Sequence, residues 1–302
     1  MRTALLLACL FALALSPAGV VAQELPEEED DLSLDLDIGD VEDVEVADMA
    51  EVEPVELLPV LCRGLTVPLH EMGKAGSLQL TIDHRAMQSL DENPGHDFLG
   101  LDAGGLKIGF ALRYAPLDFV DVLAARQNNT VEAFDTYDLA ARVSPLTQEK
   151  HFVDGVLGGG ASLFVHPEHE DAVGWNGQRL VGRSLPAGFD FTVGLLAATE
   201  SSGPAKSNAD YNYSAAAAGE LSWGIGTHPH VRIHVEAVAP VIGYNAGHPA
   251  LAAGVNILTY RHGFAFLVAN SQMLTLDALP SGSHQELDEL VVGFSILRQW
   301  DL

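Results

Sequence analysis

Residues 290–300, LVVGFSILRQW, alternate strictly. Leu290, Val292, Phe294, Ile296, Arg298 and Trp300 form one series, mostly large and apolar. Val291, Gly293, Ser295, Leu297 and Gln299 form the other, smaller and more polar. A period of two sends the two series to opposite faces of a strand, so this strand is predicted to stand between two different environments. An aromatic residue beside an arginine at the strand tip suits a membrane–water interface.

The same pattern recurs upstream. Leu78, Leu80 and Ile82 alternate with Gln79, Thr81, Asp83 and Arg85. Leu106, Ile108, Phe110, Leu112 and Tyr114 alternate with Lys107, Gly109, Ala111 and Arg113. Val231, Ile233, Val235 and Ala237 alternate with His230, Arg232, His234 and Glu236. Further strands are predicted at 119–126, 131–143, 153–165, 189–197, 213–225, 251–260 and 264–272. Each is near the ten residues or so that a tilted strand needs to cross a bilayer. Single-chain bacterial barrels have an even strand number. The predicted fold is therefore all-β, an antiparallel up-and-down β-barrel of about 12 strands, with about 10 as the alternative. The strand still missing is expected near 178–183 or 61–67.

The polar face carries Asp83, Arg85, Lys107, Arg113, Asp190, Glu220, Arg232, His234 and Glu236, which are predicted to line a lumen. Tyr114, Tyr213, Trp223 and Trp300, near strand ends, and Phe294 and Ile296 within the last strand are predicted to face lipid or form an aromatic girdle. Tight turns at Pro116 and 261–263 contrast with long loops at 166–185, 200–212 and 274–287, a contrast typical of membrane barrels. Opposite charges on the inner wall are expected to pair across neighbouring strands and fill the bore, because an unpaired charge there is costly. That gives a narrow or plugged barrel with a structural, binding or small-solute role. The alternative is a soluble periplasmic β-barrel binding an apolar ligand on an inward apolar face. A carboxylate introduced at Phe294 or Ile296 is expected to block assembly, and one at Gly293 or Ser295 to be tolerated better.

The N-terminal part reads differently. Residues 1–22 have the form of a secretory signal: Arg2, an apolar run from Ala4 to Leu15, and Val20-Val21-Ala22 before Gln23. Residues 23–60 read as a disordered acidic linker, since no Lys or Arg occurs between Arg2 and Arg63. Residues 61–302 are assigned to the barrel domain, and Pro54 to Pro68 reads as a connector leading to its first strand. After the signal one cysteine remains, Cys62, which has no internal disulfide partner. No later window is long and apolar enough for a helical membrane span. The net charge of −27 argues against nucleic-acid binding, which needs a basic face.

Chemical motifs are weak. His166 and His169 lie in one loop, and His228 and His230 share the parity of His234 along one strand face; these are the weak metal candidates, and positions 228 and 234 are too far apart, about 20 Å along a strand, to share one ion without partners from a neighbouring strand. Asp35-Leu36-Asp37-Ile38-Gly39 lacks the third ligand and distal Glu of a calcium loop. Gly158-Gly159-Gly160 lacks the Lys-Ser or Lys-Thr of a phosphate loop, and no Gly-x-Ser-x-Gly elbow occurs. No catalytic residue and no cofactor is predicted.

Several stretches resemble an uncharacterised bacterial family of β-barrels known only as a domain of unknown function. They are Leu80-Thr81-Ile82-Asp83-His84-Arg85, Phe98-Leu99-Gly100-Leu101-Asp102, Leu106-Lys107-Ile108-Gly109-Phe110, His262-Gly263-Phe264-Ala265-Phe266, Asn270-Ser271-Gln272 and Gly293-Phe294-Ser295-Ile296-Leu297-Arg298. Together they fall within residues 76–302. The resemblance implies an outer-membrane-type barrel and no activity. The partners expected on this reading are outer-membrane lipid and, through the C-terminal strand, the barrel-assembly machinery.

Overall fold

The computed structural model describes residues 58–90, 105–128, 135–165, 170–200, 212–226 and 230–302. The predicted signal and most of the acidic linker lie outside them, as do Phe98-Leu99-Gly100-Leu101-Asp102 and the candidates His166, His169 and His228. Among the described residues no helix is long and apolar enough to cross a membrane, which leaves strands unaddressed.

The described residues form twelve antiparallel strands: β1 (Ser77–Ala86), β2 (Leu106–Leu117), β3 (Val120–Gln127), β4 (Asp135–Leu146), β5 (Asp154–Val165), β6 (Ala172–Ser184), β7 (Phe189–Thr199), β8 (Tyr213–Ile225), β9 (His230–Gly243), β10 (Ala250–Thr259), β11 (His262–Ala269) and β12 (Val291–Asp301). Each strand pairs with its neighbours in sequence, and β1 closes on β12 from Ser77↔Asp301 to Arg85↔Gly293. Closure matters physically, because it leaves no sheet edge with unpaired N–H and C=O groups.

The strand read weakly from sequence is β6. Its outer face mixes Val173, Trp175 and Val181 with Arg179, and its inner face holds Gly174, Asn176, Gln178 and Gly182. Polar residues outside and glycines inside blur the alternation, so the long 166–185 loop is in fact mostly a strand. The other region suspected of holding a strand, 61–67, is outside the wall and inside the bore. There Gly64 N–H donates to the Val67 carbonyl and Leu69 N–H to the Cys62 carbonyl, with an isolated bridge between Arg63 and Pro68. This is a short hairpin, and the stretch read as a connector is its body.

The rim that holds the start of β1 and the end of β12 carries short connections at 118–119 and 260–261. The ends of β1, β7 and β11 and the starts of β2, β8 and β12 lie at the opposite rim, which carries the connection 270–290. Gly76 (φ 80°), whose left-handed backbone suits only glycine well, ties the first rim together. Its N–H donates to the Ala115 carbonyl, and its carbonyl accepts from Leu302 N–H.

Candidate functional site

Alternation along each strand separates an apolar exterior from an interior that is largely polar. On β9, Val235 is 59% exposed and its neighbour Glu236 is 2% exposed. Leu195, Leu221 and Val241 are likewise exposed, whereas Asp83, Arg85, Asp121, Arg142, Glu220 and His234 are buried in the bore. The apolar face thus points outward, opposite to what a soluble barrel with an apolar interior requires. Tyr114, Tyr213 and Trp223 are exposed on the outer surface near strand ends. Trp223 stacks on Phe189 and donates its Nε1–H to the Ala187 carbonyl at 3.1 Å. Trp300 lies on the outward parity of β12 with Arg298 over its ring, and Phe294 and Ile296 precede it on that face. Tyr137 repeats the arrangement on β4, beside the Arg126–Asp135 ion pair.

The bore is filled from both rims. From the first rim comes the segment 58–72. At its tip the backbone N–H groups of Leu65, Thr66 and Val67 all donate to the Glu236 carboxylate, at 2.5, 2.7 and 2.9 Å, and the Thr66 hydroxyl adds a fourth bond at 2.6 Å. A carboxylate accepts four such bonds and offers nothing else, so a turn with three N–H groups on one side is its natural complement. Gly64 is needed for this approach: any Cβ there would run into the Glu236 carboxylate. On the other side of the bore, Arg142 donates to the carbonyls of Cys62, Leu69 and Glu71 at 3.2, 2.9 and 3.1 Å, and Arg85 to that of Leu65 at 2.9 Å. Near the rim, Gln79 donates to the Val60 carbonyl and Gln299 accepts from Val60 N–H.

Of the predicted lumen charges, several therefore meet the segment and not a neighbouring strand, which corrects the wall-to-wall pairing expected from sequence. Asp83 pairs with Arg63 at 2.5 Å and also accepts from the Ser295 hydroxyl. Arg232 pairs with Glu71 at 2.9 Å and more distantly with Asp190 at 3.8 Å. The physical reason is that a strand-to-strand partner must sit in register, whereas an inserted hairpin brings backbone dipoles to any wall position. Three predicted residues do pair across neighbouring strands: Arg113 with Asp121 at 2.6 Å, and His234 with Glu220 at 2.8 Å, the other imidazole nitrogen accepting from Asn256. Lys107 faces the bore opposite Arg85 in register. The sequence reading missed Asp121 and Arg142, although both sit on the inward parity of predicted strands. It also missed Arg63 and Glu71, because a connector was not expected to enter the barrel. Burial pushes the Cys62 thiol up, opposed by Arg113 and Arg142.

From the opposite rim comes the connection 270–290. Its short 3-10 turn, Leu279–Ser281, is buried, and Leu279 packs with Val67, Val156, Leu180, Leu196 and Val238. Burial pushes the Asp277 carboxyl up, against the lowering effect of its hydrogen bonds with Thr275 and the N–H groups of Asp277 and Ala278. Between segment and loop lies a cavity of about 80 Å³, lined by Arg63, Asp83, Gln127, Asp138, Thr275 and Ser295 among others. It has room for a few water molecules and no larger solute. At the first rim a vestibule of about 870 Å³ is lined by Leu58, Glu71, Met72, Asp154 and Arg232.

Among the described residues no three His, Cys, Asp or Glu side chains converge as ligands. His230, the one described member of the weak metal set, bonds through Nδ1 to the Gly226 carbonyl at 2.7 Å.

A closed meander barrel with an apolar exterior, aromatic rims and buried charges inside is a membrane-spanning β-barrel. The chain belongs to the family described as membrane bound beta barrel domain (DUF5777), which matches residues 63–300. The structure is similar to a crystal structure of an outer membrane channel from Pseudomonas putida F1, with 10% sequence identity and a TM-score of 0.42 over 76% of this chain and 98% of that chain. No curated protein sequence matches this chain.

Proposed function

We propose that the protein is a bacterial outer-membrane barrel held shut by its own residues 58–72, with a binding, structural or small-solute role and not that of a general porin. The observation that carries this reading is the seating of the hairpin across the bore, three backbone N–H groups of its tip on Glu236 and three carbonyls of its limbs on Arg142. A twelve-stranded bore is narrow to begin with, well below the 16–18 strands of a wide aqueous channel. The signal-like residues 1–22 fit export, and the outward alternation of β12 fits a strand offered to the assembly machinery at its aromatic end. No reaction is assigned. Planar-bilayer recording of the purified full chain tests the proposal. The expected result is no steady conductance, with at most brief openings. Large, continuous conductance would overturn it.

A further inference from the structure

We infer that the bore wall is a binding site for the main chain of a turn-forming peptide, and that residues 58–72 occupy it as an internal ligand which a peptide in trans can replace. The inference rests on the closed-bore reading and goes beyond it by naming the ligand class.

The wall reads backbone atoms. Glu236 accepts the N–H groups of Leu65, Thr66 and Val67. Arg142 and Arg85 donate to the carbonyls of Cys62, Leu69, Glu71 and Leu65. Gln79 and Gln299 take the carbonyl and the N–H of Val60. Contacts that depend on the segment's own polar side chains are fewer: Arg63 with Asp83, the Thr66 hydroxyl with Glu236, His70 with Thr192, and Glu71 with Arg232. Every peptide offers the same N–H and C=O groups, so a wall arranged this way grips a backbone shape more than a side-chain sequence.

The arrangement is also polar across the bore. N–H groups point to the acidic position on β9, and carbonyls point to guanidinium groups on β1 and β4. A turn with its donors on one side and its acceptors on the other fits in one orientation only. Selectivity comes from small apolar pockets. Leu65 packs on Ala252, Ala265, Leu267 and Ala269, and Leu69 on Leu61 and Leu258. The ligand class is thus a short peptide with a tight turn and aliphatic side chains on both limbs.

The site is reachable. Both limbs of the hairpin, at Leu58 to Leu61 and at His70 to Met72, line the open vestibule at the first rim. The link from hairpin to β1 includes Lys74, which is exposed. The chain can therefore be cut there after folding. Of the other lysines, Lys107 faces the bore, and Lys150→Gln with Lys206→Gln removes the remaining sites.

The test uses that full-length double variant in detergent micelles. It is folded first, confirmed by heat-modifiable gel mobility, then cut with a lysine-specific protease. A fluorescent synthetic peptide of residues 58–74 is added as the probe. The expected result is saturable incorporation, together with loss of protection of the original Cys62 thiol as its segment leaves. A peptide carrying Thr66→Ala and Glu71→Gln should bind within about tenfold of the parent, while one N-methylated at Leu65 and Val67 should lose about a hundredfold or more. No incorporation, or equal binding of the N-methylated peptide, would overturn the inference. Steady conductance of the uncut protein would instead sink the closed-bore reading, so the two failures are distinct.

Discussion

Two pieces of chain share the bore, and they are held in different ways. The segment 58–72 is gripped by ionised wall groups, Glu236, Arg142, Arg85 and Asp83, acting mostly on its backbone. The connection 270–290 is held by neutral contacts. Ala246 N–H donates to the Ser281 carbonyl, and His248 and Ser283 exchange backbone bonds. Asn270 accepts from Leu251 N–H and donates to the carbonyls of Pro249 and Gln285, while Leu279 packs in the apolar quadrant. The loop is thus an extension of the wall, tied to the neighbouring 244–249 connection by a short backbone ladder. The hairpin is a guest whose affinity is electrostatic and whose partners remain on the wall when it leaves.

That contrast can be broken at its strongest point. Arg142→Ala removes a buried guanidinium that serves three segment carbonyls and, with Arg113, compensates Asp121. Stripping one partner from a buried charge pair costs about 3–5 kcal/mol. The expected outcome is a lower urea midpoint and fast maleimide labelling of Cys62, with hydrogen exchange in 274–283 unchanged. Leu279→Ala should cost about 3 kcal/mol through loss of packing and a residual cavity. It should loosen the loop while the Cys62 thiol stays protected. Rapid labelling in that variant would show that the two inserts move as one body, because Leu279 and Val67 share a cluster.

The smallest effect sharpens the loop's side. Burial raises the Asp277 carboxyl above its ordinary value, so the neutral form is favoured in the folded state. The associated stability is fully present below the unfolded value and is lost as pH rises through the raised one. Asp277→Asn should therefore leave the thermal midpoint unchanged at pH 4 and increase it at pH 8. An equal shift at both values would place the effect in lost hydrogen bonds to Thr275 and not in charge.

Much of the wall was legible because period-two alternation is a local signal. Residues such as Val235 and Glu236 declare their faces to anyone counting parity. What fills the wall was not legible, because it depends on pairing between positions more than a hundred residues apart, as between Thr66 and Glu236. One expectation is narrowed for that reason. A carboxylate at Gly293 or Ser295 was expected to be tolerated better than one at Phe294 or Ile296, because those positions face the lumen. A Cβ at Gly293 would crowd Arg85 and the His84 carbonyl, and Ser295 already donates to Asp83, so the inner positions are packed as well. The inner face of a filled barrel is a protein core, with the intolerance of one. The candidate site was half legible: the charges were seen, but the connector between Pro54 and Pro68 was not recognised as their partner.

The hairpin enters and leaves through the same rim. Its descent from the level of Gln79 to that of Arg85 covers about 20 Å of strand, yet both of its described limbs, 58–61 and 70–72, line the same vestibule. The insert is a cork and not a thread. A threaded segment would have to be in place before β1 and β12 zip together, tying its fate to barrel closure. A corked one can arrive last, after the wall has closed. The order of events during assembly is thereby uncoupled: wall closure does not have to wait for the hairpin.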